Sequence, residues 1–450
     1  MIAELAERFT AEARAILRHR LALGAGYLAA GQYTAAALNF LTNVVMARLL
    51  GPADYGLVAL TVAYPTLLGS FVGVKSVSVI TRYVAGFRAT GERDKLRAVV
   101  KLGYGIDVLV SLLAFLLVSA SAWWVAGHFY GRSDLARLMV VYAGSFPLVA
   151  LAGSSWAVLS SWERFRILAV FEVLSPFVKL LLIIGLILAG RGVAGAVLGM
   201  AVAQAVVGVG MMVAAVQVME KDGVGRWLGV SLKPVADIQR EIGQFFGWNY
   251  LLVTLSGLVG QVPLMLLGRF RGAEEVGFYR LALSIVTVGS YINSSLGYVV
   301  YPALSARFAS GGQEKALASI PRWTVRGGLP LGLFLGASIL LFPILIPAVF
   351  GRPYAPAILA TQVLMLGKIV SVIVFWLQSL YYAWGKVGTW VKGYFLYATV
   401  VVVGGWYVVP KWGVLGLAAL IASTEALFLL GMLALALRRR AWKEAGSRDA

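Results

Sequence analysis

The sequence contains no cysteine and only two histidines, so it offers neither disulfide bonds nor a cysteine- or histidine-rich metal site. Charged residues are also scarce: they make up 13% of the 450 residues, about half the share found in soluble domains. Hydrophobic residues instead reach 60%, and the mean hydropathy is +0.84. One water-soluble core cannot bury that excess, so lipid must be the solvent for much of the surface. We expect neither a cofactor nor a metal.

Long apolar runs separated by short polar loops predict an all-α polytopic membrane protein with about twelve transmembrane helices. Each run is long enough to cross a bilayer or nearly so. The predicted spans are residues 21–47, 57–80, 98–122, 135–160, 167–189, 193–218, 244–267, 276–301, 326–350, 357–384, 391–409 and 413–437.

The net charge of +19 would suit a nucleic-acid partner if the basic residues formed one surface. They are instead spread over many short loops. The N-terminus, the even-numbered loops and the C-terminal tail hold about three times as many lysines and arginines as the odd-numbered loops. This asymmetry predicts a multi-pass protein of the cell (inner or plasma) membrane with both termini in the cytoplasm, and it removes the argument for nucleic acid.

Two stretches of the sequence match without a gap at a constant offset of 221 residues. Residues Arg48 to Leu57 align with Arg269 to Phe278, and Gly192 to Gly195 align with Gly413 to Gly416. Charged residues and glycines that match at one offset indicate a duplication. Six spans per copy is an even number, so both copies enter the membrane from the same side. We therefore predict two same-facing six-helix bundles related by a pseudo-twofold axis along the membrane normal.

The predicted domain order follows from these spans. Residues 1–20 are expected to form a cytoplasmic amphipathic helix, and residues 438–450 a basic cytoplasmic tail. We call residues 21–218 the N-terminal half and residues 244–437 the C-terminal half, and each is predicted to be one six-helix bundle. Residues 219–243 are the predicted cytoplasmic linker between them.

The stretch from Asn43 to Gly56, NVVMARLLGPADYG, resembles the end of the first span in polysaccharide flippases of the Wzx type. The stretch from Thr81 to Ala85 and the basic loop from Gly91 to Leu96 are similar to that family too. These flippases belong to the multidrug/oligosaccharidyl-lipid/polysaccharide exporter superfamily, and the resemblance in span number and two-lobed organisation covers nearly the whole chain.

The resemblance implies a transporter and not an enzyme, with no catalytic residues. By alternating access it would move a polyprenyl-diphosphate-linked oligosaccharide from the cytoplasmic to the outer leaflet, for polysaccharide or glycan assembly. The implied partners are this lipid-linked substrate, membrane lipids and other membrane proteins of glycan assembly, with the protein acting as a monomer.

Other functions remain open at this point. A cation-coupled multidrug exporter of the same superfamily would have about this length. Such exporters typically carry acidic residues in the first or seventh span, and neither span contains Asp or Glu here. Lipid II flippases usually have a basic pair soon after the proline of span two, whereas Pro65 is followed by TLLGS. A membrane-embedded glycan polymerase or ligase would need catalytic groups on a large loop, and the outer loops are short.

Cations inside the predicted spans are the candidate substrate-binding residues. An ionisable side chain costs about 2.5–3.5 kcal/mol at the bilayer centre unless it faces a cavity or a partner. Lys75, Lys179, Arg280 and Lys368 qualify, and they could neutralise a diphosphate headgroup. Two alternatives are structural: Lys75 could reach the cytoplasmic headgroups, and Glu172 could pair with Lys179 on the same helix face.

Three acids within the spans, Asp107, Glu172 and Glu425, are candidates for carrying a coupling proton or cation. The alternative for Glu425 is an ion pair with a lysine on another helix. Sugars are expected to bind neutral polar side chains, with tyrosine and tryptophan faces for stacking. The candidates are Asn39, Asn43, Gln204, Asn249, Gln261, Asn293 and Gln378.

Overall fold

The computed structural model describes residues 2–72, 77–225, 227–235, 247–310 and 317–446. Within these ranges the regular structure is helical, and none of the residues lies in a β-strand. This agrees with the composition, because a helix satisfies its own backbone hydrogen bonds and so can lie in lipid.

The N-terminal half contains seven α-helices, counted over the described residues. α1 is a long helix that breaks at Gly51 and then continues, and α7 carries the chain to the linker. The bounds are α1 Ile2–Val72, α2 Val77–Thr90, α3 Arg93–Trp124, α4 Leu135–Ala143, α5 Phe146–Ser161, α6 Phe165–Leu186 and α7 Gly192–Lys221. Short π-helical turns extend α3 through Val125–Phe129 and α6 through Ile187–Arg191.

The C-terminal half has eight helices in the part of the chain that is described. Its bounds are α8 Gly247–Phe270, α9 Ala273–Ala309, α10 Ile320–Trp323, α11 Leu329–Ile339, α12 Phe342–Phe350, α13 Ala357–Ile373, α14 Leu377–Ala383 and α15 Val387–Gly446. A π-helical turn, Thr324–Gly328, joins α10 to α11, and the 3-10 turns are Lys233–Val235 in the linker and Arg352–Tyr354 after α12.

By length and composition, six of the described helices can cross a membrane, or up to eight if each of two bent pairs is one span. The bent pairs turn by 68° between α11 and α12 and by 43° between α13 and α14. Three of the six candidates are 47, 57 and 52 residues long, well above the ~20 residues that one span needs. The protein is therefore a multi-pass membrane protein.

Glycines with positive φ interrupt or separate several helices, and the 221-residue offset relates two pairs of them. Gly51 has φ 75° and ψ 174°, and its counterpart Gly272 has φ 89° and ψ 179°. Gly192 has φ 48° and ψ −129°, and its counterpart Gly413 has φ 54° and ψ −143°. Only glycine adopts such left-handed angles readily. The two copies of the repeat thus change direction at the same positions and with nearly the same backbone angles.

The two halves meet through a pair of very close backbone approaches. A Cβ added to Gly56 would lie 1.8 Å from the carbonyl oxygen of Ala273, and one added to Gly277 would lie 2.0 Å from that of Pro52. The contact is reciprocal, since Ala273 and Gly277 are the offset counterparts of Pro52 and Gly56. Nearby, the buried Tyr354 hydroxyl donates to the carbonyl of Ala47 at 3.0 Å.

Alanine at Gly56 or Gly277 is expected to lower the free energy of unfolding by about 1–3 kcal/mol, because the added methyl group overlaps a backbone carbonyl that cannot turn away. Thermal unfolding of the purified protein in detergent measures this. The matched control is Gly86→Ala on α2, where the added Cβ meets no atom within 4 Å. Equal melting temperatures for all three variants would contradict the tight contact.

The predicted surface segment 1–20 and linker 219–243 can be compared with the backbone only in part. The chain is helical from Ile2 to Gly51 without a break, so residues 2–20 are continuous with the first predicted span. α7 continues to Lys221, and residue 226 and residues 236–243 of the linker lie outside the described ranges. The domain boundaries remain a prediction.

Candidate functional site

A cavity of about 260 Å³ lies between the halves and holds two of the predicted cations. Lys179 reaches it from α6 and Arg280 from α9, and we call it the cation cavity. Its wall also includes the polar side chains of Tyr55, Thr66 and Gln261. Each half therefore supplies one positive charge to the same space.

Neutral side chains hold these two cations. The half-buried Lys179 ammonium donates a hydrogen bond to Oδ1 of Asn39 on α1. Arg280 lies within hydrogen-bonding reach of the Tyr55 hydroxyl, which also donates to Oδ1 of Asn43 at 3.3 Å. Tyr55 itself is fully buried. Asn39 and Asn43, two of the predicted sugar ligands, thus hold Lys179 and Tyr55 in place and are not among the described residues that line the cation cavity.

In the described part of the chain, no carboxylate forms an ion pair with Lys179 or Arg280. The two cations instead lie close enough to repel each other. Charges inside a membrane protein are costly unless they are compensated, and here the compensation is lacking within the described residues. The cavity is suited to an anion.

A second cavity of about 910 Å³ lies within the N-terminal half, and we call it the N-terminal cavity. Asp107 of α3 and Glu172 of α6 line it, and none of the described residues in its lining is a lysine or arginine. Asp107 accepts hydrogen bonds from Ser154 of α5, at 2.6 Å from the hydroxyl and 3.1 Å from the backbone nitrogen. It thereby ties α3 to α5.

A third cavity of about 290 Å³ lies within the C-terminal half. There Lys368 of α13 and Glu425 of α15 form an ion pair at 2.9 Å, with side chains only 16% and 19% exposed. Asn293, which donates to Ser371 at 3.3 Å, and Gln378 line the same space. A Glu–Lys pair across helices, the structural alternative for Glu425, is therefore present.

The structure brings some predicted site residues together and separates others. Lys179 and Arg280 share a cavity, whereas Lys368 lies in a different one and is paired. Glu172 forms no ion pair with Lys179, so the structural alternative for these two residues is wrong. Lys75 lies outside the described residues, and the side chain of Asn249 is not described either.

The sequence interpretation missed Tyr55, Thr66 and Tyr142, which line the cation cavity. In an apolar run, tyrosine and threonine look like ordinary packing residues. The repeat offers a weak signal, because Tyr55 lies inside the motif that carries both the resemblance and the duplication.

The family model described as "Polysaccharide biosynthesis protein" matches residues 21–308, well over half of the chain. The chain belongs to the polysaccharide biosynthesis protein family. The resemblance seen at residues 43–56 is thereby confirmed.

Among curated relatives, this member of the polysaccharide biosynthesis family is similar to the teichuronic acid biosynthesis protein TuaB of Bacillus subtilis (strain 168). The two are 25% identical over 288 residues, which cover 60% of this chain and 54% of the relative. The match thus spans about half the length of that protein.

Solved structures show the fold of this polysaccharide biosynthesis family member. An inward-facing MATE family multidrug resistance transporter of the MOP superfamily gives a TM-score of 0.71 at 13% identity, covering 91% of this chain and 96% of that one. The lipid II flippase MurJ, in an inward closed conformation, gives 0.70 at 14% identity, covering 90% and 86%. An outward-facing MATE transporter gives 0.63 at 15% identity, covering 94% and 96%. What this chain shares with these three structures is the transporter fold.

Proposed function

We propose that the protein is a flippase that moves a polyprenyl-diphosphate-linked oligosaccharide from the cytoplasmic to the outer leaflet of the cell membrane. The observation that carries this proposal is the cation cavity, where Lys179 and Arg280 face one space without a carboxylate partner among the described residues. The family match and the transporter fold support the same class of function.

The charge balance explains why a diphosphate suits this cavity. A diphosphate brings several negative charges into a region of low dielectric constant, where each must be compensated. Lys179 is a mobile point charge, and the planar guanidinium of Arg280 can bind two phosphate oxygens at once. The phosphate charges thus compensate the two cations, and the cations lower the free-energy cost of bringing the diphosphate out of water.

The two cations also connect binding to transport, because they belong to different halves. A substrate held by Lys179 and Arg280 stabilises one relative position of the halves over another, as alternating access requires. The higher TM-score to the inward-facing transporter supports an inward-facing state, closed where Gly56 and Gly277 meet.

We further propose twelve spans in two same-facing six-helix bundles, residues 21–218 and 244–437, related by a pseudo-twofold axis along the membrane normal. The matched angles of the glycine pairs and the reciprocal contact of Gly56 and Gly277 support the duplication. Each of the three longest candidate spans is long enough for two spans if it is divided at its glycine. Dividing them raises the number of spans above the six to eight candidates and so supports the proposed twelve. The loop charges support cytoplasmic termini.

A multidrug exporter for cationic compounds is the second candidate, favoured by the two carboxylates of the N-terminal cavity. Its difficulty is the neighbouring cation cavity, because both cavities share Thr66, Tyr142 and Gln204. A cationic compound passing between the halves would meet Lys179 and Arg280 and be repelled. An anionic headgroup would be attracted.

Reconstitution into liposomes tests the proposal. The probe is a fluorescent polyprenyl-diphosphate oligosaccharide, and a membrane-impermeant quencher reports which leaflet holds it. We expect protein-dependent exchange between leaflets and no movement of a cationic dye. Absence of exchange for several glycans with correctly folded protein, especially with dye transport, would overturn the flippase in favour of the exporter.

A further inference from the structure

The N-terminal cavity adjoins the cation cavity. Thr66, Tyr142 and Gln204 line both spaces, and Gln204 donates to the Tyr142 hydroxyl at 3.3 Å along the shared wall. At about 910 Å³, the N-terminal cavity is more than three times larger than the cation cavity and lies near the upper end of small-molecule sites. A group attached to a phosphate at Lys179 and Arg280 can therefore extend into it.

The polar and aromatic side chains that line the N-terminal cavity can bind a sugar. Hydroxyl and amide side chains both donate and accept hydrogen bonds, as sugar hydroxyl groups do, and aromatic faces pack against the apolar side of a sugar ring. The polar and aromatic residues that serve this argument are Gln32, Ser111, Ser175, Gln204, Trp156 and Phe171.

The charged side chains among the described residues of this lining, Asp107 and Glu172, are both acidic. Asp107 is engaged by Ser154, whereas Glu172 has no hydrogen-bond or ion-pair partner among the described residues. Among the described residues that line the cavity there is no lysine or arginine to offset a further carboxylate. Glu172 can accept hydrogen bonds from hydroxyl groups, but it repels an anionic sugar.

We propose that the N-terminal cavity binds the sugar units next to the diphosphate and selects neutral units over carboxylated ones, with Glu172 as the residue that sets this specificity. The inference rests on the proposed flippase function, because the diphosphate at Lys179 and Arg280 places the sugar. It assigns the two adjoining cavities to the two chemical parts of one headgroup.

Binding to the full-length protein in nanodiscs tests the inference with three probes that share one polyprenyl diphosphate. The first carries no sugar, the second carries N-acetylglucosamine and the third carries glucuronic acid. We expect the neutral sugar to bind more tightly than the sugar-free lipid, and at least about tenfold more tightly than the carboxylated sugar, because like charges brought together are unfavourable.

Glu172→Gln separates charge from shape, because glutamine keeps the size and a hydrogen-bond acceptor. We expect the tenfold preference to fall to about twofold, since removal of like-charge repulsion tightens binding of the glucuronic acid probe. Glu172→Asp keeps the charge and is expected to keep the preference. Glu220→Gln, an exposed carboxylate at the end of α7, is the matched control and should change nothing.

The outcomes distinguish this inference from the proposed function. If none of the three lipids binds, the flippase proposal itself fails. If all three bind equally, or if Glu172→Gln leaves the preference intact, the sugar site is overturned while the diphosphate site stands. A melting temperature for each variant shows that it is folded.

Discussion

Replacing Lys179 or Arg280 by alanine is expected to slow leaflet exchange of the polyprenyl-diphosphate probe by at least about thirtyfold in the liposome assay. Removal of one charge from a desolvated, hydrogen-bonded pair costs about 2–5 kcal/mol, and 2 kcal/mol corresponds to roughly thirtyfold. The loss should be large at both positions, because each cation is the contribution of its own half to one cavity. Charge reversal by Lys179→Glu should abolish exchange.

Matched variants separate this effect from general damage. Lys179→Arg keeps the charge and should retain most of the exchange, whereas Arg280→Lys loses the two-pronged contact and should be intermediate. Lys392→Ala and Arg166→Ala remove exposed cations of the same types and should leave the rate unchanged. Normal exchange by folded Lys179→Glu would remove Lys179 from the site.

Replacing Lys368 by methionine is expected to destabilise the fold by up to about 3–5 kcal/mol, because Glu425 would be left as a half-buried carboxylate without its cation. Glu425→Gln should destabilise in the same way by leaving Lys368 unpaired. The double variant Lys368→Met/Glu425→Gln removes both charges and should recover most of the stability. Thermal unfolding in detergent measures all three.

Non-additivity is the decisive readout for this pair, since two residues in contact couple by about 0.5–3 kcal/mol or more in a double-mutant cycle. A double variant whose destabilisation equals the sum of the single variants would contradict direct pairing. Lys386→Met, which removes a lysine of the turn after α14, provides the control for the loss of one positive charge.

Much of the fold could be predicted from the sequence, because a chain in lipid must satisfy its backbone hydrogen bonds internally and bury apolar runs of a set length. Apolar runs of sufficient length predicted a multi-pass helical protein, and that prediction is confirmed. Glycine at Gly51 and Gly272 marks a sharp change of backbone direction, so its repetition at one offset carried structural information. The bends between α11 and α12 and between α13 and α14 were not predicted, because apolar composition alone does not show where a helix turns.

The candidate site could be predicted from the sequence only in part. The electrostatic cost of a charge in lipid singled out Lys179, Arg280 and Lys368, but it did not show which of them meet. Lys368 and Glu425 are on different helices, and hydropathy carries no information about which helices are neighbours. The cation cavity and the paired site therefore looked alike in the sequence, although one is suited to an anion and the other is internally neutral.

The reciprocal contact of Gly56 and Gly277 has a consequence for the origin of this chain. Such a contact, in which each copy presents the same patch to the other, is what a twofold dimer of identical subunits would make. Under the proposed duplication, fusion of two such subunits allowed each to change alone. Lys179 corresponds to Val400, and Arg280 to Ala59, so neither cation has a charged counterpart. A symmetric ancestor would have lacked this pairing of one lysine with one arginine, and the single fused chain could acquire it.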